Sequence, residues 1–415
     1  MSGPLPAETT GTRATPGHVA ILLSASQVAS RERIFLATAE LLAQRGYRVT
    51  VLAARPNDEL RARVQAPLLL RDIDPTATVP GLRHLPHVVR LYCSLPVVAK
   101  FLRQARPDVL FSTSIPPNMV ALGARLLSRQ NTRIVIRQSN VVRARGHAAS
   151  AGVARRPRDW LMPLLYPKAD AIIAVSQGVA ENLSAIPSID PSRIHAVANA
   201  VAIDEAAEKA REPVDHPWFR PGGPPVLLAA GRLIRKKDYA TMLRALARVR
   251  AHVDARLIVL GEGPERPALE RLIASLGLGD CVDLLGYRPN PFAFMARASL
   301  FVMSSRFEGM PSVLIEALAC GCPLVSTDCP SGPAEILDQG RFGTLVPMGD
   351  VERLADAILQ ALRTPPDRER LVARARDFAR QGAAERYVEI LTGCLAAADA
   401  EAGHGLGRSA VALTR

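Results

Sequence analysis

The sequence predicts an α/β protein with two domains, each built around a parallel β-sheet. Its 415 residues are enough for two or three domains, and 48% of them are hydrophobic, so each domain can bury a core. Short apolar runs alternate with stretches of helical length in both halves, which is typical of parallel sheets covered by helices. A Pro- and Gly-rich stretch at 201–224 interrupts the alternation and predicts a linker.

The first domain is predicted over residues 18–200. Its short apolar runs predict buried strands at 18–23, 47–52, 108–112, 133–136 and 171–175. A helix is expected over 33–45, ended by Gly46. Residues 1–17 are rich in Pro, Gly, Thr and Ser and lack an apolar signal core, so we expect a disordered N-terminus.

The second domain is predicted over residues 225–385. Its strands are expected at 225–230, 255–260, 281–285, 299–303 and 323–327. Its helices are expected at 239–250, at 266–277 and from near Pro311 or Ser312, with a largely helical chain after Asp350. Open α/β sheets bind ligands beyond the carboxyl ends of their strands, so the two similar domains are expected to face a central cleft.

The net charge of +13 lies entirely in the first half. Residues 1–200 carry 25 basic and 12 acidic side chains, and residues 201–415 carry 27 of each. This asymmetry indicates that one domain meets an acidic surface, such as an anionic membrane or lipid substrate. An Arg-rich genome could equally give a basic, merely solvated surface. Nucleic acid is not expected, because no nucleic-acid-binding module is present and aromatic residues are few.

Two segments of the first half are candidates for the membrane surface. Residues 84–102 mix apolar residues with basic flanks and could lie on anionic lipid or form an ordinary core helix. The other is a basic run beside Trp160, made of Arg143, Arg145, Arg155, Arg156 and Arg158. The six cysteines include no C-x-x-C pair. No apolar run approaches the ~20 residues that a helix needs to cross a bilayer. We therefore expect a cytoplasmic protein that can lie peripherally on the inner face of the plasma membrane.

Four loops after predicted strands of the second domain carry the candidate ligand residues. In the first, Gly231 allows close approach, while Arg232 and Lys237 suit a diphosphate. The second loop is a glycine turn that begins at Gly261. The third begins at Gly286 and contains Arg288, and it could line the pocket of a nucleotide base. Each alone could be a solvated basic turn or an ordinary strand–helix turn.

The fourth loop holds two carboxylates, Glu308 and, inside the following helix, Glu316. Helical side chains lean toward the helix N-terminus, so Glu316 is expected to lean toward the loop of Glu308. Carboxylates accept hydrogen bonds from hydroxyl groups but repel phosphate. Together, cations for a diphosphate and carboxylates for hydroxyls predict a nucleotide-sugar site.

These motifs resemble the family 4 retaining glycosyltransferases. The resemblance rests on Glu308 and Glu316 with seven residues between them, on Gly231-Arg232 and Lys237 before them, and on 317–321 after them; it runs through most of 225–350. The segments 327–336 and 343–347 are similar to members that build bacterial surface polysaccharides. In the first half, residues 171–176 and 197–199 look like the last strand and loop that precede the interdomain linker in the family.

The resemblance implies a GT-B fold of two Rossmann-like αβα domains facing a central cleft, with residues 386–415 forming a helix that returns to the first domain and a tail. By match of motif, Arg232, Lys237 and Glu308 would be the catalytic residues. Glu308 would hold the donor sugar together with Gly309, Met310 and Pro311, and Glu316 would bind ribose. No metal or other cofactor is expected, because the basic residues would neutralise the leaving diphosphate.

The chain departs from the family pattern at three places. Ser30-Arg31 stands where many members have a glycine pair, Arg137-Gln-Ser-Asn140 where many have a His, and Asp238 where a Gly often follows the diphosphate lysine. The first two leave the acceptor-side chemistry open, with Gln138, Ser139 and Asn140 as candidate residues.

The expected activity is transfer of a hexose or N-acetylhexosamine, with retention, from a nucleotide sugar to a lipid-linked saccharide acceptor in surface polysaccharide biosynthesis. UDP is favoured over GDP as the nucleotide. Two alternatives stay open: a nucleotide-sugar epimerase, which would share this architecture, and a catalytically silent donor-binding subunit.

Overall fold

The computed structural model describes residues 17–23, 32–77, 79–142 and 157–411. By their internal contacts these residues form two compact units. The first holds the described residues up to Ile136, Lys168–Asp170 and those from Val388 onward; the second holds those within Arg137–Pro167 and Ala171–Tyr387. The predicted disordered segment 1–17, apart from Gly17, lies outside the described residues.

One sheet has seven strands in the order β3-β2-β1-β4-β5-β6-β7. The strands are β1 His18–Leu22, β2 Arg48–Ala53, β3 Leu69–Asp72, β4 Val109–Ser112, β5 Arg133–Gln138, β6 Ala171–Ala174 and β7 Ile194–Ala196. Their described pairings are parallel, for example Val19 beside Val49 on one side and beside Val109 on the other. The central strand β1 is buried along its whole length, as its unbroken apolar run predicts.

Seven helices accompany these strands in the described sequence. They are α1 Glu32–Gln44, α2 Asp58–Arg63, α3 His87–Cys93, α4 Leu95–Ala105, α5 Ile115–Ser128, α6 Pro157–Leu165 and α7 Gln177–Ser184. The segment 84–102 is thus two helices that meet at Ser94. Helix α4 buries Val98 and Phe101 as a core helix, whereas α3 leaves Val88 and Val89 exposed.

The other sheet has six strands in the order β10-β9-β8-β11-β12-β13, with parallel pairings. Its strands are β8 Val226–Ala230, β9 Arg256–Leu260, β10 Val282–Gly286, β11 Leu300–Met303, β12 Leu324–Thr327 and β13 Thr344–Val346. From β8 the chain builds outward in one direction to β10, and from β11 in the other direction to β13. The order therefore reverses between β8 and β11, where doubly wound sheets bind their ligands.

The helices of the second half begin with α8 Ile203–Ala210, which lies within the stretch predicted as a linker. The others are α9 Tyr239–Val249, α10 Arg266–Ser275, α11 Phe292–Arg297, α12 Ser312–Ala319, α13 Pro333–Ile336, α14 Val351–Arg363, α15 Arg368–Arg376 and α16 Arg380–Val411. Apolar side chains of α9, α10 and α14 pack on the sheet around Leu257 and Val302. The two parallel sheets confirm the predicted α/β class with two Rossmann-like domains.

Short 3-10 turns lie at Pro75–Ala77, Pro80–His84, Tyr166–Lys168, Pro191–Arg193, Pro217–Phe219 and Arg235–Lys237. Among the helices in the described ranges, none has the length and apolar character that a membrane-spanning helix requires.

Candidate functional site

The loops after β8 and β11 meet where the strand order reverses. The β8 loop runs through Gly231 and Arg232 to the 3-10 turn Arg235–Lys237, and the β11 loop runs from Ser304 to Pro311. Two backbone-directed hydrogen bonds join the loops: the Arg306 amide donates to the Lys236 carbonyl at 2.8 Å, and the Ser304 hydroxyl donates to the Lys237 carbonyl at 2.9 Å. Residues 67 or more positions apart in sequence are thereby fixed side by side.

At the centre of this junction, Glu308 pairs with two lysines. Lys237 Nζ lies 2.7 Å from Oε1 and Lys236 Nζ lies 3.0 Å from Oε2, while the Ser305 hydroxyl donates to Oε1 at 3.0 Å. The carboxylate side chain is only 8% exposed, against 26% for Lys236 and 14% for Lys237. A carboxylate this deeply buried requires such partners, because desolvation disfavours its charge.

The lysines decide the ionisation state of Glu308. Burial raises the pKa of the Glu308 carboxyl, but the charges of Lys237 and then Lys236, with their hydrogen bonds, outweigh burial and hold the pKa below its ordinary value. Burial, followed by the nearby charge of Glu308, raises the pKa of Tyr239, whose hydroxyl donates to the Gly231 carbonyl at 3.0 Å. The site therefore presents an ionised carboxylate and two ammonium groups beside a neutral phenol.

The predicted glycines Gly231 and Gly261 lie where the β8 and β9 loops touch. Gly231 has φ +148°, and a Cβ there would lie 3.2 Å from Lys237 Cε. Gly261 has φ +142°, and a Cβ there would overlap the Gly231 carbonyl oxygen. Both positions combine a backbone conformation that suits glycine with a lack of room for a side chain. The Lys237 side chain lies against Gly231, in the space that a Cβ there would need.

Arg232, Arg288 and Glu316 are less enclosed. Arg232 is exposed, and within the described part of the chain its side chain makes no hydrogen bond or ion pair. Arg288 is exposed as well, and its guanidinium donates to the Tyr287 carbonyl at 3.2 Å. Glu316 is half-buried on α12; burial, and then the charge of Glu316, raise the pKa of the Cys320 thiol to about 12.

Asp238 explains one departure from the family pattern. It has φ +48°, a left-handed conformation in which Gly is the usual residue and Asp or Asn the tolerated exceptions. Its carboxylate accepts hydrogen bonds from the Thr241 hydroxyl and from Arg306 Nε, each at 2.9 Å. The side-chain contacts compensate for the backbone conformation that glycine adopts freely.

The predicted donor residues Gly309, Met310 and Pro311 form the base of the β11 loop. The Ser331 hydroxyl donates to the Gly309 carbonyl at 2.7 Å, and a Cβ at Gly309 would overlap the Ser139 carbonyl oxygen. Asn199 Nδ2 donates to the Met310 carbonyl at 2.7 Å. The predicted acceptor-side residue Ser139 is therefore next to the predicted donor-side loop.

Behind this loop lies a buried arginine. Arg137 is 2% exposed, and its guanidinium donates to the Tyr387 hydroxyl at 2.8 Å, to the Ser139 hydroxyl at 2.7 Å and to the Asn199 side-chain carbonyl. Arg137 thus holds the asparagine that bonds Met310. Its neighbour Gln138 is also buried, accepting from the Tyr166 hydroxyl at 2.9 Å and donating to the Asn140 carbonyl at 2.6 Å.

Several residues of this region carry little or no signal in the sequence. Lys236 is notable in the sequence only because it forms a pair with Lys237 in a chain whose 52 basic residues include five lysines. Arg137 was visible only as a departure from the family, and Asn199 only as part of a similar loop. Tyr239 and Arg306 gave no signal, because their roles depend on loops that meet in three dimensions. The predicted basic run at 143–158 lies outside the residues whose side chains are described. In the described ranges, no three His, Cys, Asp or Glu side chains are grouped as metal ligands.

Known proteins match this chain over most of its length. Residues 32–205 match the family described as Glycosyltransferase Family 4, and residues 211–378 match Glycosyl transferases group 1. The chain is 33% identical over 287 residues to N-acetylgalactosamine-N,N'-diacetylbacillosaminyl-diphospho-undecaprenol 4-alpha-N-acetylgalactosaminyltransferase of Campylobacter jejuni, covering 68% of this chain and 74% of that protein. The chain belongs to the family 4 glycosyltransferases.

Other relatives agree with this membership. This glycosyltransferase is 29% identical over 231 residues to the lipopolysaccharide core biosynthesis glycosyltransferase LpsE of Rhizobium meliloti, covering 54% of this chain and 65% of that protein. The crystal structure of HepE from Anabaena in complex with UDP superposes with a TM-score of 0.68 at 18% identity, covering 90% of this chain and 99% of that one. The likeness in structure confirms the predicted GT-B fold, and the family confirms the predicted enzyme class.

Proposed function

We propose that this glycosyltransferase transfers a hexose or N-acetylhexosamine from a UDP-sugar to a lipid-linked saccharide acceptor in surface polysaccharide biosynthesis. The observation that carries the proposal is the cluster of Lys236, Lys237 and Glu308 at the reversal of strand order. Its Lys237 offers a cation for a diphosphate and its Glu308 offers a buried carboxylate for sugar hydroxyls, within one hydrogen-bonded junction. The relatives support the remainder of the proposal: one is named for a diphospho-undecaprenol-linked acceptor, and another structure contains UDP.

In this proposal, Arg232 and Lys237 neutralise the charge that develops on the leaving diphosphate, and no metal is needed. Arg232 is exposed and has no partner among the described residues, so it is available to an anion. Glu308 and the backbone from Gly309 to Pro311 hold the donor sugar, Glu316 binds the ribose, and the turn at Arg288 faces the base. Gln138, Ser139 and Asn140 lie toward the acceptor.

We propose retention by attack on the same face of the sugar. The acceptor oxygen forms its bond to the anomeric carbon as the bond to the diphosphate breaks, and its proton passes to a diphosphate oxygen. Glu308 is not the nucleophile in this scheme, because the proposal places its carboxylate at the hydroxyl groups of the donor sugar.

The enzyme is proposed to work at the cytoplasmic face of the membrane. Five large apolar side chains are exposed on or beside α3: Val79, Leu85, Val88, Val89 and Tyr92. Exposed Arg83 and His84 lie among them, in the half of the chain that carries the net positive charge. Apolar side chains with basic neighbours suit an anionic bilayer surface. Sedimentation with anionic vesicles should fall sharply in Val88→Asp/Val89→Asp, and unchanged sedimentation would refute this surface.

The experiment that tests the activity is release of nucleoside diphosphate from a panel of UDP- and GDP-sugars, with and without a lipid-linked acceptor, in EDTA. We expect acceptor-dependent UDP release and a product with the donor's anomeric configuration. Conversion of a donor without acceptor would instead indicate an epimerase. Donor binding without UDP release under any condition would indicate a silent subunit.

A further inference from the structure

Glu308 and Lys237 are assigned to different parts of the donor, yet in the structure they bind each other. Lys237 Nζ lies 2.7 Å from Glu308 Oε1. A diphosphate carries more negative charge than one carboxylate, so it competes with Glu308 for this ammonium group. When Lys237 turns to the diphosphate, the buried Glu308 loses one of its two cations.

Lys236 is the cation that remains. Its Nζ lies 3.0 Å from the other carboxylate oxygen, Oε2, and 5.8 Å from the centre of the Phe307 ring. The Arg306 amide donates to its backbone carbonyl at 2.8 Å, which ties Lys236 to the loop that carries Glu308. This bond and the ion pair at Oε2 hold Lys236 beside Glu308 without involving the Lys237 side chain.

We infer that Lys236 is a positioning residue that keeps Glu308 ionised and directed at the donor sugar after Lys237 has moved to the diphosphate. The inference rests on the proposed function, since it presupposes a diphosphate-containing donor. A buried carboxylate without a cation would take up a proton and become a hydrogen-bond donor, which would change its contacts with sugar hydroxyls. Lys236 prevents that change at neutral pH.

Among the described residues, four titratable side chains surround Glu308, and only the two lysines among them carry a positive charge. The Arg235–Lys237 turn contributes Lys236 and Lys237, helix α9 contributes Tyr239, and the loop after β12 contributes Cys329. Burial, and then the charge of Glu308, raise the pKa of Cys329 to about 12, and the pKa of Tyr239 is raised as well. Both are neutral at physiological pH, so among these groups only the lysines can compensate Glu308.

The test compares Lys236→Met with two controls. Lys236→Arg retains a cation, and Arg235→Met removes a neighbouring exposed cation that makes no ion pair within the described residues. The carboxyl carbon of Glu308 is followed by 13C NMR in protein labelled at glutamate, free and saturated with UDP, and is assigned by its loss in Glu308→Gln. In Lys236→Met we expect Glu308 to titrate at higher pH, with a larger rise in the UDP-bound protein than in the free protein.

Activity gives the second measurement. We expect kcat/KM of Lys236→Met at pH 5 to fall on the order of tenfold relative to its own value at pH 8, because a displaced titration changes the ionised fraction by such a factor. Lys236→Arg and Arg235→Met should keep the unmodified profile, and the affinity for UDP should stay within about twofold in all three.

The outcomes separate the two proposals. UDP binding by the unmodified chain, together with equal Glu308 titrations in Lys236→Met and Lys236→Arg, would overturn the role of Lys236 alone. An equal rise in the free and UDP-bound proteins would overturn the exchange of Lys237. If the unmodified chain bound no UDP or other nucleoside diphosphate, the proposed function would fail and the inference with it.

Discussion

Glu308 and Arg137 are both buried charges near the base of the β11 loop, but their partners differ in kind. Glu308 is held by the flexible side chains of two lysines that are themselves partly exposed. Arg137 donates to Tyr387, which is 1% exposed, and to Ser139 and Asn199, which are half-buried. A ligand can replace a lysine at Glu308 by a simple side-chain rotation, whereas Arg137 can exchange its partners only if the surrounding chain rearranges.

Burial and charge alone therefore do not distinguish a ligand site from a structural support. A ligand site needs partners that a ligand can displace, whereas a structural support is held by partners fixed by packing. The Lys236–Glu308–Lys237 cluster meets the first condition, as the proposed donor site requires. Arg137 contacts the β11 loop only indirectly. It donates to the side chain of Asn199, and Asn199 donates to the Met310 carbonyl.

The largest effect is expected from Arg137→Met. The change leaves the buried Tyr387 oxygen and the half-buried Ser139 and Asn199 oxygens without this donor, and a fully buried polar group left unsatisfied costs about 1–3 kcal/mol. We expect the free energy of unfolding to fall by about 4 kcal/mol in urea denaturation. The matched control is Arg232→Met, an exposed arginine whose replacement should cost no more than about 0.5 kcal/mol. Equal losses of stability in the two variants would show that Arg137 is not a structural support.

A somewhat smaller loss of unfolding free energy is expected from Gly261→Ala. This variant tests whether the Lys236–Glu308–Lys237 cluster depends on the close backbone packing of the β8 and β9 loops. The new Cβ would overlap the Gly231 carbonyl oxygen, and overpacking costs about 1–3 kcal/mol. With the added strain at φ +142°, we expect a loss of about 3 kcal/mol. Gly277→Ala is the control, because Gly277 has φ +67° but open space around it, so only about 1 kcal/mol should be lost.

Tyr387→Phe tests how much one of the hydrogen bonds made by Arg137 contributes to stability. It removes the phenolic acceptor of Arg137 Nε and keeps the buried ring. We expect a loss of about 1.5 kcal/mol, since a hydrogen bond to a charged group is worth about that much. In a double-mutant cycle with Arg137→Met, the two losses should be less than additive. Full additivity would show that the two residues do not act through their shared bond.

The smallest effect is a pH dependence of stability at Glu308. The pKa of Glu308 is lowered on folding from its ordinary value of 4.5, so its contribution is fully present above that value. That contribution is lost as the pH falls through the lower pKa of the folded state. Between about pH 6 and about pH 3, the unmodified protein should therefore lose more stability than Glu308→Gln. Parallel curves would show that the two lysines do not hold the charge of Glu308 in the folded protein.

The fold was predictable where hydrophobic burial dominates the sequence. The central strands are continuous apolar runs because both of their faces are covered. The three strands that were missed, β3, β7 and β13, all lie at the edges of their sheets, where burial is weaker. Leu69–Asp72 even ends in two exposed charged residues, so periodicity gave no signal there.

The site was predictable as a set of residue types but not as a set of contacts. Lys237 and Glu308 were predicted as separate ligands of the donor, and the structure adds that they pair with each other across two loops. That pairing follows from β8 and β11 being neighbours, which the sequence does not state. Arg137 was visible only as a residue in place of a histidine, because nothing local shows that Asn199 and Tyr387 surround it.

Asp238 makes three side chains of this loop interdependent. Its left-handed backbone is accompanied by hydrogen bonds from Thr241 and Arg306 to its carboxylate. Glycine adopts such a backbone without any partner. The threonine and the arginine can therefore be exchanged at little cost only together with Asp238→Gly.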